Sequence, residues 1–176
     1  MIARNRIWEE LKQAKSNIIC LQKYTDKKRS RNRWYNAFVA IVASAGALGY
    51  TIDELVPVYA SIIVGFVSIF KSIMPNFLHT EPELTGLDNL SDFYVRYMNS
   101  LERIWYNHEY NQVGDKETME EFFKLKETEC DKQSVLNKGV RNISQKFQKE
   151  INREAKDYIN KVYFEKYSNT EEYGKE

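Results

Sequence analysis

The chain has 176 residues, 26 Lys and Arg against 25 Asp and Glu, and only three prolines, seven glycines and two cysteines. Such a composition excludes a β-rich or loop-rich fold and a disulfide scaffold, and points to long helices within one modest domain. The near-zero total charge hides an asymmetry: residues 1–33 hold ten basic and three acidic side chains, or +7, whereas residues 76–176 hold fifteen and twenty, or −5.

Residues 1–33 read as a basic cytoplasmic helix, with Trp8, Leu11, Ile18, Ile19 and Gln22 sharing one side and Lys15 interrupting the pattern. No Pro or Gly stands before Gly46, so nothing stops this helix from running on. Its charge is drawn both to anionic lipid and to the acidic tail.

Two uncharged stretches follow, Trp34 to Ile52 and Leu55 to Phe70, separated by Asp53 and Glu54. The first holds 19 residues, which cover roughly 28 Å at about 1.5 Å per residue, near the ~30 Å of a hydrocarbon core. The second reaches Met74 if Lys71 snorkels its amine to the headgroups. The expected fold is all-α: a two-span transmembrane hairpin over 34–75, with spans 34–52 and 55–74, carrying a long-helix cytoplasmic bundle or coiled coil. A buried soluble αα-hairpin is the competing reading, but soluble core helices rarely lack charges on every face.

Charge sets the orientation. Lys27, Lys28, Arg29, Arg31 and Arg33 precede the first span and Lys71 closes the second, while the turn carries only acids. The positive-inside rule then places both termini in the cytoplasm of a prokaryotic inner membrane. Trp34, Tyr35 and Tyr50 fall where interfacial aromatics are expected. No cleavable signal peptide is expected, and the basic run needs no nucleic acid to explain it, because anionic lipid suffices.

Small and hydroxyl-bearing residues form a stripe on each span. Ala40, Ala43 and Ala47, with Ser44 alongside, mark the first; Ser61, Gly65, Ser68 and Ser72 mark the second. Two uses are open: the stripes zip helices together at close approach, or oligomerisation turns them toward a water-filled lumen. Lys71 is either a snorkelling anchor or stands at the mouth of that lumen.

The remainder, 76–176, reads as a cytoplasmic helical domain with helices over about 87–112 and 116–166 and a connector at His79 to Gly86. Leu87, Leu90, Tyr94, Tyr97, Leu101 and Ile104 are spaced 3, 4, 3, 4, 3, a heptad seam on which His108 is a rim residue. Val113-Gly114-Asp115 forms a turn with Asp115 as N-cap, and Asn137-Lys138-Gly139 is a place where the last helix can break. Its apolar face is Leu136, Val140, Ile143, Phe147, Ile151, Ala155, Tyr158 and Val162. The tyrosines of these faces point to contacts between subunits or to a ligand-dependent rearrangement. Lys138, Arg141, Lys146 and Arg153 either meet phosphates or are solvated charges.

Catalytic patterns are missing: there is no G-x-S-x-G, P-loop, G-x-G-x-x-G or HExxH, so the chain is not expected to be an enzyme. Cys20, Cys130, His79 and His108 show no metal-ligand spacing, and no cofactor is expected.

The layout of Arg6-Ile7-Trp8, a basic run, a tight two-span hairpin and a helical tail with Glu127-Thr128-Glu129-Cys130 resembles the SLATT family. These are two-transmembrane effector domains associated with nucleotide-second-messenger systems in prokaryotes, and the resemblance covers roughly residues 4–145. It implies an antiviral, abortive-infection effector that oligomerises to form a pore or disrupt the membrane. Its control would lie with a nucleotide synthase or sensor protein of the same system, with a cyclic nucleotide as ligand. The alternative is a membrane-anchored coiled-coil adaptor that passes nothing.

Overall fold

The computed structural model describes residues 2–49, 56–73, 78–110, 113–140 and 143–165. Among them every regular element is helical: α1 Ile2–Gly49, α2 Val56–Ile73, α3 Glu81–Tyr110, α4 Asp115–Gly139, α5 Gln145–Asn160, and a π-helical turn Lys161–Glu165. The chain divides into two compact units, one of Met1–Tyr24 with Gly86–Glu176 and one of Thr25–Thr85. Residues 50–55, with the acidic turn Asp53-Glu54 and the adjoining ends of both spans, and Met74 at the end of the second span lie outside the described residues.

The first unit is a helical bundle with one apolar core. From α1 come Ile7, Leu11, Ala14, Ile18 and Leu21, and from α3 come Leu87, Leu90, Tyr94, Tyr97, Leu101 and Ile104, joined by Phe122 and Leu136 of α4 and Ile159 of α5. The α1 residues are spaced 4, 3, 4, 3, a heptad stripe. This replaces the face expected from the sequence: Trp8 and Ile19 are half-buried and Gln22 is exposed. The expected face was drawn through the large side chains, whereas the real stripe turns on the small Ala14, which lets a neighbour come close and leaves Lys15 at the edge.

The tail is cut differently from the expected helices. The segment taken as a connector is the first turn of α3. Thr80 Oγ1 accepts from the Glu83 N–H at 3.4 Å and Glu83 Oε2 accepts from the Thr80 N–H at 2.8 Å, so the two close a capping box. Pro82 is harmless there because first-turn N–H groups have no intrahelical acceptor. The helix expected over 116–166 is two helices and a π-helical turn. Val140 leaves α4 in an extended conformation, and the Ser144 hydroxyl accepts from the Phe147 N–H at 3.3 Å to start α5. The break falls at Gly139, where an added Cβ would lie 2.7 Å from Leu87 Cδ2, so α4 ends in close contact with α3. Asp115 is the first residue of α4, and Gly114 takes the cap position assigned to it.

In the second unit, Asn32 of α1 donates from Nδ2 to the His79 carbonyl at 2.8 Å. Among the described residues no helix is long and apolar enough to cross a membrane. Large apolar side chains of α1 and α2 are nevertheless exposed: Trp34 at 76%, Ile41 at 68%, Phe66 at 65% and Ile69 at 58%.

Candidate functional site

α2 is the most apolar described element. Ile62, Val64, Phe66, Ile69 and Ile73 are exposed on it, and so are Ser61, Gly65, Ser68 and Ser72. Successive helical residues are about 100° apart, so these positions take up somewhat more than half of the helix circumference. The Ser/Gly stripe is flanked on one side by the row Ile62, Phe66, Ile69 and Ile73 and on the other by Val64, and the apolar side chains on both flanks are uncovered.

Among the described residues the small-residue stripes are uncovered. A Cβ added at Gly65 finds nothing within 4 Å, and Ala40, Ala43 and Ser44 are exposed on α1. The hydroxyls are spent locally: Ser44 Oγ donates to the Ala40 carbonyl at 2.8 Å and Ser68 Oγ to the Val64 carbonyl at 2.8 Å, the i−4 bond that serines make within helices. Ala47 and Lys71 lie on α1 and α2, but their side chains are outside the described set. In the basic run, Lys27, Arg31 and Arg33 are exposed and Lys28 and Arg29 half-buried.

The other concentration of chemistry is a charged network inside the first unit. Tyr94 donates to Glu129 Oε1 at 2.9 Å. Lys126 Nζ sits 3.2 Å from Glu129 Oε2 and 2.6 Å from Glu10 Oε1, and Tyr97 donates to that same Glu10 oxygen at 3.1 Å. The two tyrosine rings meet edge to face, with centroids 6.3 Å apart at 87°. Burial first, then the bond and charge of Glu129, push the Tyr94 phenol well above its ordinary range. Burial and then Glu10 do the same to Tyr97. At Lys126 burial works against the ammonium, but Glu10 and Glu129 outweigh it and the net shift is upward. The tyrosines of the α3 seam thus have polar partners inside the chain, and the network links α1, α3 and α4. Glu129 stands in a charge-rich stretch of sequence, as solvated residues do, yet it is 1% exposed. The missed signal is its spacing of 3 from Lys126 and 7 from Phe122, which sets it on the inward face of α4.

The basic first helix also finds acids within this unit. Lys23 Nζ lies 2.6 Å from Glu150 and 2.5 Å from Glu154, successive turns of α5. Lys15 Nζ sits 3.4 Å above the Tyr158 ring. His108 Nε2 is 2.9 Å from Asp115 Oδ1, a contact across the turn between α3 and α4 that holds the Asp115 carboxyl below its usual range. Among the described residues no three His, Cys, Asp or Glu side chains gather as a metal site. No protein-family model, curated protein or solved structure matches the chain.

Proposed function

We propose that the chain is an inner-membrane effector whose α1 and α2 segments lie in the bilayer as the two-span hairpin 34–52 and 55–74, both termini cytoplasmic. It oligomerises and permeabilises the membrane in an antiviral, abortive-infection role, under control of a nucleotide-signalling partner. The observation that carries the membrane step is α2: the apolar row Ile62, Phe66, Ile69 and Ile73 is exposed beside an equally exposed Ser/Gly stripe. Water is a poor solvent for such a surface, and each buried apolar Å² is worth about 25 cal/mol. Acyl chains or further copies of the helix would cover it. The basic run from Lys27 to Arg33 and the acidic Asp53-Glu54 turn support the orientation. The defence role and the signalling partner rest on the resemblance in layout to SLATT effectors.

A second reading is favoured by the serines. Ser44 and Ser68 bond their own helices, which suits an apolar anchor better than a hydrated lumen. In that reading the hairpin tethers the helical bundle as an adaptor and passes nothing.

One experiment separates the two. The purified full chain is reconstituted into phosphatidylethanolamine–phosphatidylglycerol vesicles, then assayed by flotation and by release of a trapped dye. The effector reading expects the protein to float with lipid and release to rise more than linearly with protein per vesicle. Flotation without release leaves the adaptor, and failure to float removes both.

A further inference from the structure

A cavity of about 540 Å³ opens in the first unit, lined by Arg4, Trp8, Trp105, Glu109, Tyr110 and Tyr163, with Asn5 at its side. It uses none of the residues on which the membrane reading rests. Its floor is aromatic and cross-braced. Trp8 and Trp105 meet the Tyr163 ring at 82° and 78°, with centroids 5.4 and 5.7 Å away. Tyr110 stands edge-on to Trp105 at 6.5 Å. The Tyr163 hydroxyl donates to Glu102, which fixes the central ring. Cavities of about 300–1,000 Å³ with apolar walls and a few placed polar groups are the usual form of small-molecule sites.

The polar groups at the mouth decide the charge of the ligand. Arg4 Nε lies 3.2 Å from Glu109 Oε1. That contact engages one nitrogen of the guanidinium, and the two terminal nitrogens have no partner among the described residues. Arg4 and Glu109 answer each other's charge, and His108 Nδ1 lies 3.6 Å from the same Glu109 oxygen; the terminal nitrogens of the Arg4 fork and the Asn5 amide are left to offer N–H donors. A ligand seated here must bring acceptors, and a paired-oxygen anion fits a guanidinium fork in two parallel bonds. A quaternary ammonium would also favour the rings, but it would leave those donors idle beside a like charge.

We propose that this cavity binds a small planar aromatic acid, its ring against Trp8, Trp105 and Tyr163 and its carboxylate on Arg4. Calorimetry on the purified full chain in lipid nanodiscs tests it, with empty discs as blank. The probes are naphthalene-2-acetate and the matched cation 2-(2-naphthyl)ethylammonium. The acid is expected to bind one per chain, at least about tenfold more tightly than the amine, with Arg4→Gln weakening it about tenfold. Tyr110→Ala is expected to weaken both probes. Arg4 and Tyr110 are exposed, so neither change disturbs the core, and circular dichroism verifies that the helix content is kept. No saturable heat from the acid, an amine that binds as well, or an Arg4→Gln variant with unchanged affinity overturns the proposal.

Discussion

Tyr94 and Glu129 meet at 2.9 Å in the core of the first unit, phenol to carboxylate, with Glu129 only 1% exposed. A buried carboxylate is tolerated because Tyr94 and Lys126 supply a hydrogen bond and a charge, and Lys126 is itself shared with Glu10. Glu129→Ala leaves the Tyr94 hydroxyl unsatisfied and unbalances Lys126. The expected loss is about 1–3 kcal/mol, the cost of orphaning a buried polar group. Glu129→Leu combined with Tyr94→Phe removes both partners and should recover part of it. Chemical denaturation followed by circular dichroism measures these two variants beside the single changes Glu129→Leu and Tyr94→Phe, and an additive double variant would show that the two residues are not coupled.

Buried groups of the first unit, inside and outside this network, set a stability limit on the alkaline side. Burial raises the Cys20 thiol from 9.0 to about 11, and Tyr94, Tyr97 and Lys126 are also shifted upward. A group with a raised folded pKa binds its proton more tightly folded than unfolded. Its contribution is complete below the unfolded pKa and is lost as pH rises toward the folded one. Stability should hold to about pH 9, fall first through Cys20 between about 9 and 11, and fall further as the unfolded tyrosines and lysine titrate. Cys20→Ala should remove the fall between about 9 and 10, where the thiol titrates ahead of the tyrosines, and lessen it up to about 11, which unfolding midpoints taken at half-unit pH steps would reveal.

α5 is held to the bundle by two kinds of contact of unequal worth. Lys23 bridges Glu150 and Glu154, but these charges are partly exposed, and solvent screening leaves such bridges little to contribute. Ile151 and Ile159 are fully buried, and truncating either to Ala should cost about 2–5 kcal/mol. Lys23→Gln is therefore expected to shift the unfolding midpoint far less than Ile159→Ala. The Lys23 effect should also shrink further in high salt.

The α3 residues Leu87 to Ile104 could be grouped from spacing alone because large apolar side chains recur at 3 and 4. The α1 stripe follows the same rule, yet Ala14 carries little hydrophobic weight and Trp8 carries much, so weighting by size drew the face one residue off. The Thr80-x-x-Glu83 box was hidden by Pro82, which reads as a breaker unless it is placed in a first turn. Glu129 was unreadable for another reason: a glutamate among charged neighbours looks solvated until Tyr94, 35 residues away, is known to face it. The aromatic floor of Trp8, Trp105 and Tyr163 is likewise assembled from three distant segments. On α2 the stripe of Ser61, Gly65, Ser68 and Ser72 was legible, but not that Ser68 would turn back on the Val64 carbonyl.

That stripe yields the last prediction. Ile62, Phe66, Ile69 and Ile73 recur at 4, 3, 4, and Ser61, Gly65, Ser68 and Ser72 recur at the same spacing one residue earlier. The two rows are therefore neighbouring faces of one helix. A lysine at the middle of a span costs about 2.5–3.5 kcal/mol on the insertion scale. Phe66→Lys or Ile69→Lys should thus cut the fraction of protein floating with vesicles. Gly65→Leu acts otherwise. Nothing lies within 4 Å of a Cβ there, so the side chain fits a single copy without strain and adds apolar surface. Flotation should persist, and any fall in crosslinked oligomer or dye release must then come from a contact between copies. If Gly65→Leu leaves both oligomer and release at the parent level while the lysine variants still fail to float, the small-residue face meets only lipid and the adaptor reading stands.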